Sequence, residues 1–428
     1  MRQLGKRHIA VAVALWLLLA GAADASGWRL VSAMPEPRWF HAAGVGSDGR
    51  IYAYAGYVRG PKGRREYGIG EHALVIYDPA ANAWKRGPGI TGVKVKGLGR
   101  LVRGWFDENG KKQQEIVLEE RTSTIRVSHE GPVGRADAFG RPRWGGQSYW
   151  VPFEPSRNTW GEVEKAMSLP STELGKPRTS TWKDTGPAYF RYSPTVATSS
   201  DGIIYITGGA ARPYRDDLAR SRVHESAEAW DAKTNRWREI APMHHARDQH
   251  AAAVDRKNRL FVFGGTSVSV GLERDQDEST EAWDARGEAF DRQANASLRS
   301  VEMYDPGTNT WTERAPLRTP RQAMGADLGA DGRIYVVGGA PSYMHPKPMD
   351  VVEIYDPETD TWETGPPLVY PRRSHAVVAT PDGKIYAIGG FVAPREKGLR
   401  DQLLGAKVDP QLGATVEMLD TSTSAGGK

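Results

Sequence analysis

An all-β fold, in which one unit of four short antiparallel strands recurs six times around an axis, is what this sequence predicts. Three observations carry it. An aromatic residue is followed seven positions later by Trp in five places: Tyr77 and Trp84, Phe153 and Trp160, Trp230 and Trp237, Tyr304 and Trp311, Tyr355 and Trp362. Turns at Asp48-Gly49, Asp201-Gly202, Asp331-Gly332 and Asp382-Gly383 each precede an Ile-Tyr strand, and Asn258 stands before Leu260-Phe261. Those strands end at glycine pairs, Gly208-Gly209, Gly264-Gly265, Gly338-Gly339 and Gly389-Gly390, with Ala55-Gly56 in the first unit. Short alternating strands with turn residues at regular intervals are the mark of a β-propeller.

Each element has a local cause. Asp-Gly is a tight hairpin turn because both residues tolerate positive φ. In segments such as YDPGTNTW, from Tyr304 to Trp311, Asp-Pro presets the turn and the late Asn or Asp accepts the left-handed conformation. The two rings then face each other across a hairpin. Paired glycines let the chain leave a crowded inner strand without a Cβ clash. The weakest unit runs from Gly97 to Trp160, where Glu119-Glu120 stands in place of glycines; Tyr149 to Trp160 makes it a sixth blade in this reading. The last unit, with a strand at Ala414 to Asp420, lacks its Trp. Trp28-Arg29-Leu30-Val31 supplies the missing strand, so the N-terminus closes the final blade.

The period, the glycine pair and the aromatic–Trp spacing resemble the kelch repeat across nearly the whole chain. The resemblance implies a propeller that commonly binds proteins. In layout the chain is also similar to exported bacterial kelch mutarotases that act on sialic acid, which implies as an alternative a cofactor-free mutarotase or epimerase for an acidic sugar. The repeat is shared with copper radical oxidases of the galactose-oxidase type, but those need a Cys–Tyr thioether and this chain has no Cys.

Composition bounds the rest. With 57 Lys and Arg against 52 Asp and Glu, the formal charge is +5, too diffuse to argue for nucleic acid. Arg2, Lys6 and Arg7, the apolar run Ile9 to Leu19 and Ala23-Asp24-Ala25 ahead of Ser26 read as a secretion signal over residues 1–25. The propeller then spans 26–420, and 421–428 is a polar flexible tail. We expect a periplasmic or secreted protein without disulfides, without a thiolate metal site and without membrane insertion after signal cleavage.

Surplus length gathers in six loops: Val58 to Glu71, Glu120 to Gln147, Ala210 to Val223, Thr266 to Arg299, Ala340 to Asp350 and Phe391 to Gly413. The link Glu162 to Tyr189 is long as well. All belong on one face, the expected face for a protein or glycan ligand. The same face receives a cation ten residues after each blade-closing Trp: Arg38, Lys94, Arg247, Arg321 and Arg372, with Arg191 in the irregular link. Three positions after three of these stand His41, His250 and His375, with Met324 in the fourth. A ring of guanidinium groups at a channel mouth suits carboxylates or phosphates; the same Arg and His positions also serve structure, bonding loop carbonyls and packing at the strand start. The histidines lack metal-ligand spacing, so no metal and no cofactor is expected. Glu119-Glu120, Asp216-Asp217 and Asp248 are candidate bases, and Tyr57, Tyr214, Tyr343, Trp182 and Trp283 are candidate stacking groups.

Overall fold

The computed structural model describes residues 27–59 with short breaks, 74–87, 194–211, 222–267 with short breaks, 297–341, 347–393 and 410–422. It gives backbone strands alone at 65–67 and at intervals from 98 to 168. Residues 1–26, which include the expected signal, and residues 423–428 lie outside the described residues. Among the described residues, five four-stranded antiparallel sheets with strands in simple meander order form five blades. Blade 1 comprises Ala42–Val45, Ile51–Tyr54, Leu74–Asp78 and Ala83–Arg86. Blade 2 comprises Thr195–Thr198, Ile203–Thr207, Ala227–Asp231 and Arg236–Ile240. Blade 3 runs through Ala251–Val254, Leu260–Phe263, Val301–Asp305 and Thr310–Arg314, and blade 4 through Gly325–Leu328, Ile334–Val337, Val352–Asp356 and Thr361–Thr364. Blade 5 takes Ala376–Ala379, Lys384–Ile388 and Val416–Asp420 from the C-terminal end and Trp28–Val31 from the N-terminal end.

The closure predicted from the two chain ends is present. Trp28 pairs with Leu419 and Val31 with Val416. Register therefore puts Trp28 where the other blades carry their closing Trp, opposite Leu419 instead of the usual ring. Elsewhere the expected pairs face each other directly, Tyr77 with Trp84, Tyr304 with Trp311 and Tyr355 with Trp362. Their ring centroids are 4.9–5.3 Å apart.

The count of six is corrected to five. The unit predicted between Gly97 and Trp160 does not form one four-stranded sheet. Leu98–Phe106 pairs with Lys112–Glu120 along all nine residues as a separate two-stranded ladder, while Gln147–Glu154 pairs with Asp137–Gly140, Thr159–Trp160 and Glu164–Ser168. The physical reason lies at Glu119-Glu120. In blades 2 to 5 the second strand leaves through a glycine at positive φ, for example 63° at Gly338 and 62° at Gly389. A Cβ on Gly338 would stand 2.6 Å from the Arg372 carbonyl and 2.7 Å from the His375 ring. Glutamate offers neither the conformation nor the space, and the strand ending at Glu120 stays in its ladder to the last residue.

Neighbouring blades are tied by a repeated pair of hydrogen bonds. The closing indole donates to a carbonyl four residues beyond the previous blade's Trp: Trp84 to Ser32, Trp311 to Ala241, Trp362 to Ala315 and Trp28 to Pro366, at 2.6–2.9 Å. The turn Asn or Asp accepts twice. Asn309 Oδ1 takes the Tyr304 hydroxyl and the Ala241 N–H, Asp360 Oδ1 takes Tyr355 and Ala315, and Asn82 Oδ1 takes Tyr77 and Ser32. Positive φ at Asn82, Asn309 and Asp360 is what aims these side chains. Apolar clusters fill the gaps between blades, Phe261, Phe263, Ile334 and Val336 in one and Ile51, Val75, Ile388 and Val416 in another.

Trp28 is fully buried and belongs to the core shared by blades 4 and 5. Trp28→Ala is expected to destabilise the fold by about 3–5 kcal/mol, read from urea denaturation midpoints. A change near zero would mean that the N-terminal strand does not hold the ring shut.

Candidate functional site

The first strands of the five blades stand side by side in the order blade 2, 3, 4, 5, 1. Together they line one cavity of about 540 Å³ on the axis. Its wall is mostly small and apolar, including Ala43, Gly44, Ala197, Ala253, Gly325 and Ala376. Ala, Gly and short β-branched residues are what the innermost strands need, because strands converging on an axis leave little room for side chains.

At the end where the links enter, the lip of the cavity is made by main chain. Phe40, Gln249, Ala323 and Ser374 each stand two residues after the predicted arginine, and all four have φ of 51–53°. Three backbone bonds join them around the axis: Ala323 N–H to Gln249 O, Ser374 N–H to Ala323 O, and Phe40 N–H to Ser374 O, at 2.7–2.9 Å. Non-glycine residues rarely hold this conformation, and here an arc of three hydrogen bonds ties the four residues together.

Just inside the lip, His41, His250 and His375 are buried and line the cavity, with Met324 in the matching place of blade 4. The sequence placed them correctly at the strand starts. Each ring is tucked over the glycine pair of the preceding blade: His250 against Gly208, His375 against Gly338, His41 against Gly389. His250 Nε2 lies 2.7 Å from the Thr207 hydroxyl. Burial, and next the Arg38 charge, push the His41 imidazole down to about 3. His375 is held well below its ordinary value by burial, then by Arg372 and His41. These two rings are neutral at physiological pH.

The arginines do not face the cavity. Arg38, Arg247, Arg321 and Arg372 are fully buried, and each guanidinium is engaged inside its blade. Arg247 bonds Glu302, the Gly264 carbonyl at 2.8 Å and the Ser300 carbonyl at 3.2 Å. Arg321 bonds Glu353 at 3.0 Å and the Val336 carbonyl at 3.2 Å. Arg372 bonds Glu417 and the carbonyls of Gly389 and Thr415. Arg38 bonds Glu36 at 2.6 Å. Burial lowers Arg38, Arg247 and Arg321 against the opposing pull of the glutamates, Arg321 to about 10. Arg321 therefore remains a cation at neutral pH.

The glutamates were not singled out from the sequence, and they complete the unit. Each sits at the second position of the third strand and also accepts two link N–H groups. Glu302 takes His244 and His245, Glu353 takes Arg318 and Thr319, Glu417 takes Val369 and Tyr370, at 2.6–3.2 Å. A signal was available: VEMYD, VEIYD, VEMLD and AEAWD repeat a carboxylate inside an apolar strand. Blade 1 has Val75 at that place, and Glu36 takes over from the link. In blade 2 the position is Glu228, also buried.

Arg191 precedes its inner strand by the same four residues as the other arginines, but its side chain and that of Lys94 lie outside the described residues, as do Asp216-Asp217, Tyr214, Tyr343, Trp182 and Trp283. Glu119-Glu120 and Tyr57 are described as strand backbone only. Asp248 is buried and its carboxylate accepts the Gln249 N–H at 2.7 Å. Most of the long loops are likewise outside the described residues, but their feet border the lip. Ala210 pairs with Val223, Thr266 bridges both Asp248 and Ser297, Ala340 bridges Gln322, and Phe391 pairs with Arg373. Among the described residues no group of His, Asp and Glu is arranged to hold a metal ion.

Two outcomes are expected. Glu353→Gln leaves the Arg321 charge buried without its counter-charge and costs about 3–5 kcal/mol by urea denaturation, while the paired change Arg321→Met with Glu353→Leu recovers most of it. A loss under about 1 kcal/mol for the single change would remove the ion pair from its structural role. His41 titrates near 6.5 unfolded and about 3 folded. The unfolded chain therefore binds the proton first as pH falls, and stability declines from about pH 6.5 toward 3. His41→Asn should flatten the stability–pH slope in that window by up to about 1.4 kcal/mol per pH unit.

Comparison with known proteins agrees with this geometry. The Kelch motif family matches residues 191–244, 249–318 and 329–369. The zebrafish (Danio rerio) Kelch repeat and BTB domain-containing protein 12 is 29% identical over 49% of this chain and 31% of its own length. Mouse Kelch-like protein 36 is 30% identical over 47% of this chain and 28% of its own. Beta-scruin of Limulus polyphemus is 28% identical over 57% and 22%. The chain thus spans a third or less of the length of these relatives. Repeat, blade topology and family match agree: the described blades form a β-propeller, and residues 191–369 carry the kelch repeat.

Proposed function

We propose that this propeller is an interaction module, exported from the cytoplasm, that binds a protein partner through the face carrying the long loops and the lip of the axial cavity. One observation carries the reading. The loop feet and the lip occupy the same end of the ring, on a scaffold held rigid by buried ion pairs, and loops set on a rigid frame are the usual means of recognition. The kelch relatives support a protein as partner. A glycan is the other ligand class this face suits, and the sequence features of residues 1–25 support a periplasmic or secreted location. The alternative of a cofactor-free mutarotase for acidic sugars drew its support from an arginine-lined mouth. Arg38, Arg247, Arg321 and Arg372 are bound to glutamates instead, and that support is withdrawn.

The test shortens one loop. Thr266 and Ser297 are bridged, so the residues between them can be replaced by a short Gly/Ser connection without moving either strand. The exported protein and the shortened variant are then compared by crosslinking in the intact envelope and on a glycan array. Proteins whose crosslinking falls about tenfold in the variant at unchanged thermal midpoint are partners of this face. Equal crosslinking by both forms would take the binding away from the loops, and array signals without protein crosslinks would reassign the ligand to a glycan.

A further inference from the structure

Four buried arginines near the lip each hold a glutamate, but Arg373 does not. Among the described residues no carboxylate contacts it and no acceptor takes a hydrogen from its side chain. Its Nε is buried without a partner. One face of the guanidinium lies on the Phe391 ring, 4.2 Å from the centroid. Phe391 in turn packs against Trp39 at 5.2 Å and Phe40 at 5.9 Å between centroids. This aromatic group sits at the seam between blades 5 and 1, where Phe40 N–H meets Ser374 O, and Phe40 belongs to the wall of the cavity. The next residue, Ser374, is 8% exposed, lines the cavity, and its hydroxyl also has no partner.

A largely buried cation without a counter-charge is costly. The surroundings fit an anion arriving from outside. Burial alone lowers Arg373, to about 10, so it keeps its charge at neutral pH. His41 and His375 are neutral, and the carboxylates of the cavity wall, Asp255 and Asp327, lie toward the far ends of their strands. A guanidinium with one face on an aromatic ring keeps its edge for two parallel hydrogen bonds to a carboxylate.

We propose that Arg373, backed by Phe391 and flanked by the Ser374 hydroxyl, receives the carboxylate of a ligand that lies across the lip with its body toward the axial cavity. The proposal rests on the reading of this face as the binding face. A cavity of about 540 Å³ is of the size that encloses small organic molecules, so the carboxylate belongs to a free acid or to an acidic side chain reaching in from a partner.

The experiment is calorimetric titration of the full chain with benzoate against benzamide, and with a blocked Gly-Glu-Gly peptide against Gly-Gln-Gly. It is repeated on Arg373→Gln, on Arg373→Lys and on the remote control Arg29→Gln. Expected is binding of at least one charged probe about tenfold tighter than its neutral twin. That difference should be lost in Arg373→Gln, reduced in Arg373→Lys and kept in Arg29→Gln. Preference for benzoate assigns the site to a free acid; preference for the Glu peptide alone assigns it to a partner's side chain. As a check independent of variant folding, benzoate or the Glu peptide should slow phenylglyoxal modification of Arg373 in the unaltered protein. Equal binding of charged and neutral twins, or a difference that survives Arg373→Gln, overturns the proposal. Loss of anion binding with loop-dependent crosslinking intact would separate this site from the interaction reading, which then stands alone.

Discussion

The buried arginine–glutamate pair is the constraint on which the ring depends. Each blade must end one link and begin the next inner strand within a few residues, at the most crowded part of the molecule. Links leave backbone groups that cannot be abandoned in a dry interior. Glu302, Glu353 and Glu417 collect two link N–H groups each, and Arg247, Arg321 and Arg372 collect the carbonyls on the other side. Neither charge is tolerable in that place without the other, and together they turn a loop into a fixed corner. Such pairs specify geometry more than they add net stability.

That constraint explains how much was legible in the sequence. The hairpins, the ring pairs and the closure by Trp28 were readable because each depends on residues close in sequence or on a repeated spacing. The His41, His250 and His375 positions were readable for the same reason. The fate of the arginines was not, because their partners lie 32 to 55 residues away for Arg321, Arg372 and Arg247, and a surface cation and a buried one look alike in a string of letters. Glu302, Glu353 and Glu417 are charges placed inside runs of Val, Met, Ile and Tyr, and that oddity was the available clue. Val75 shows its limit, since blade 1 solves the same problem with Glu36, two residues from its arginine. The blade count failed at Glu119-Glu120, where the sequence broke its own rule and the sheet broke with it.

The cavity follows from the same geometry. Small residues on the inner strands leave an axial space, and the neutral imidazoles close the gaps above the glycines without adding charge. Polarity near the lip is therefore concentrated in few groups. Arg373 stands out because the other arginines near the lip, Arg38, Arg247, Arg321 and Arg372, each hold a glutamate.

The lip itself has a consequence for how such a protein changes over evolutionary time. Phe40, Gln249, Ala323 and Ser374 are held by main-chain bonds that are indifferent to what hangs from their α-carbons. An aromatic, an amide, a methyl and a hydroxyl already occupy equivalent places. Selectivity at the opening can drift by single exchanges there while the frame beneath stays untouched, so two descendants of one ancestor could share every blade and recognise unrelated molecules.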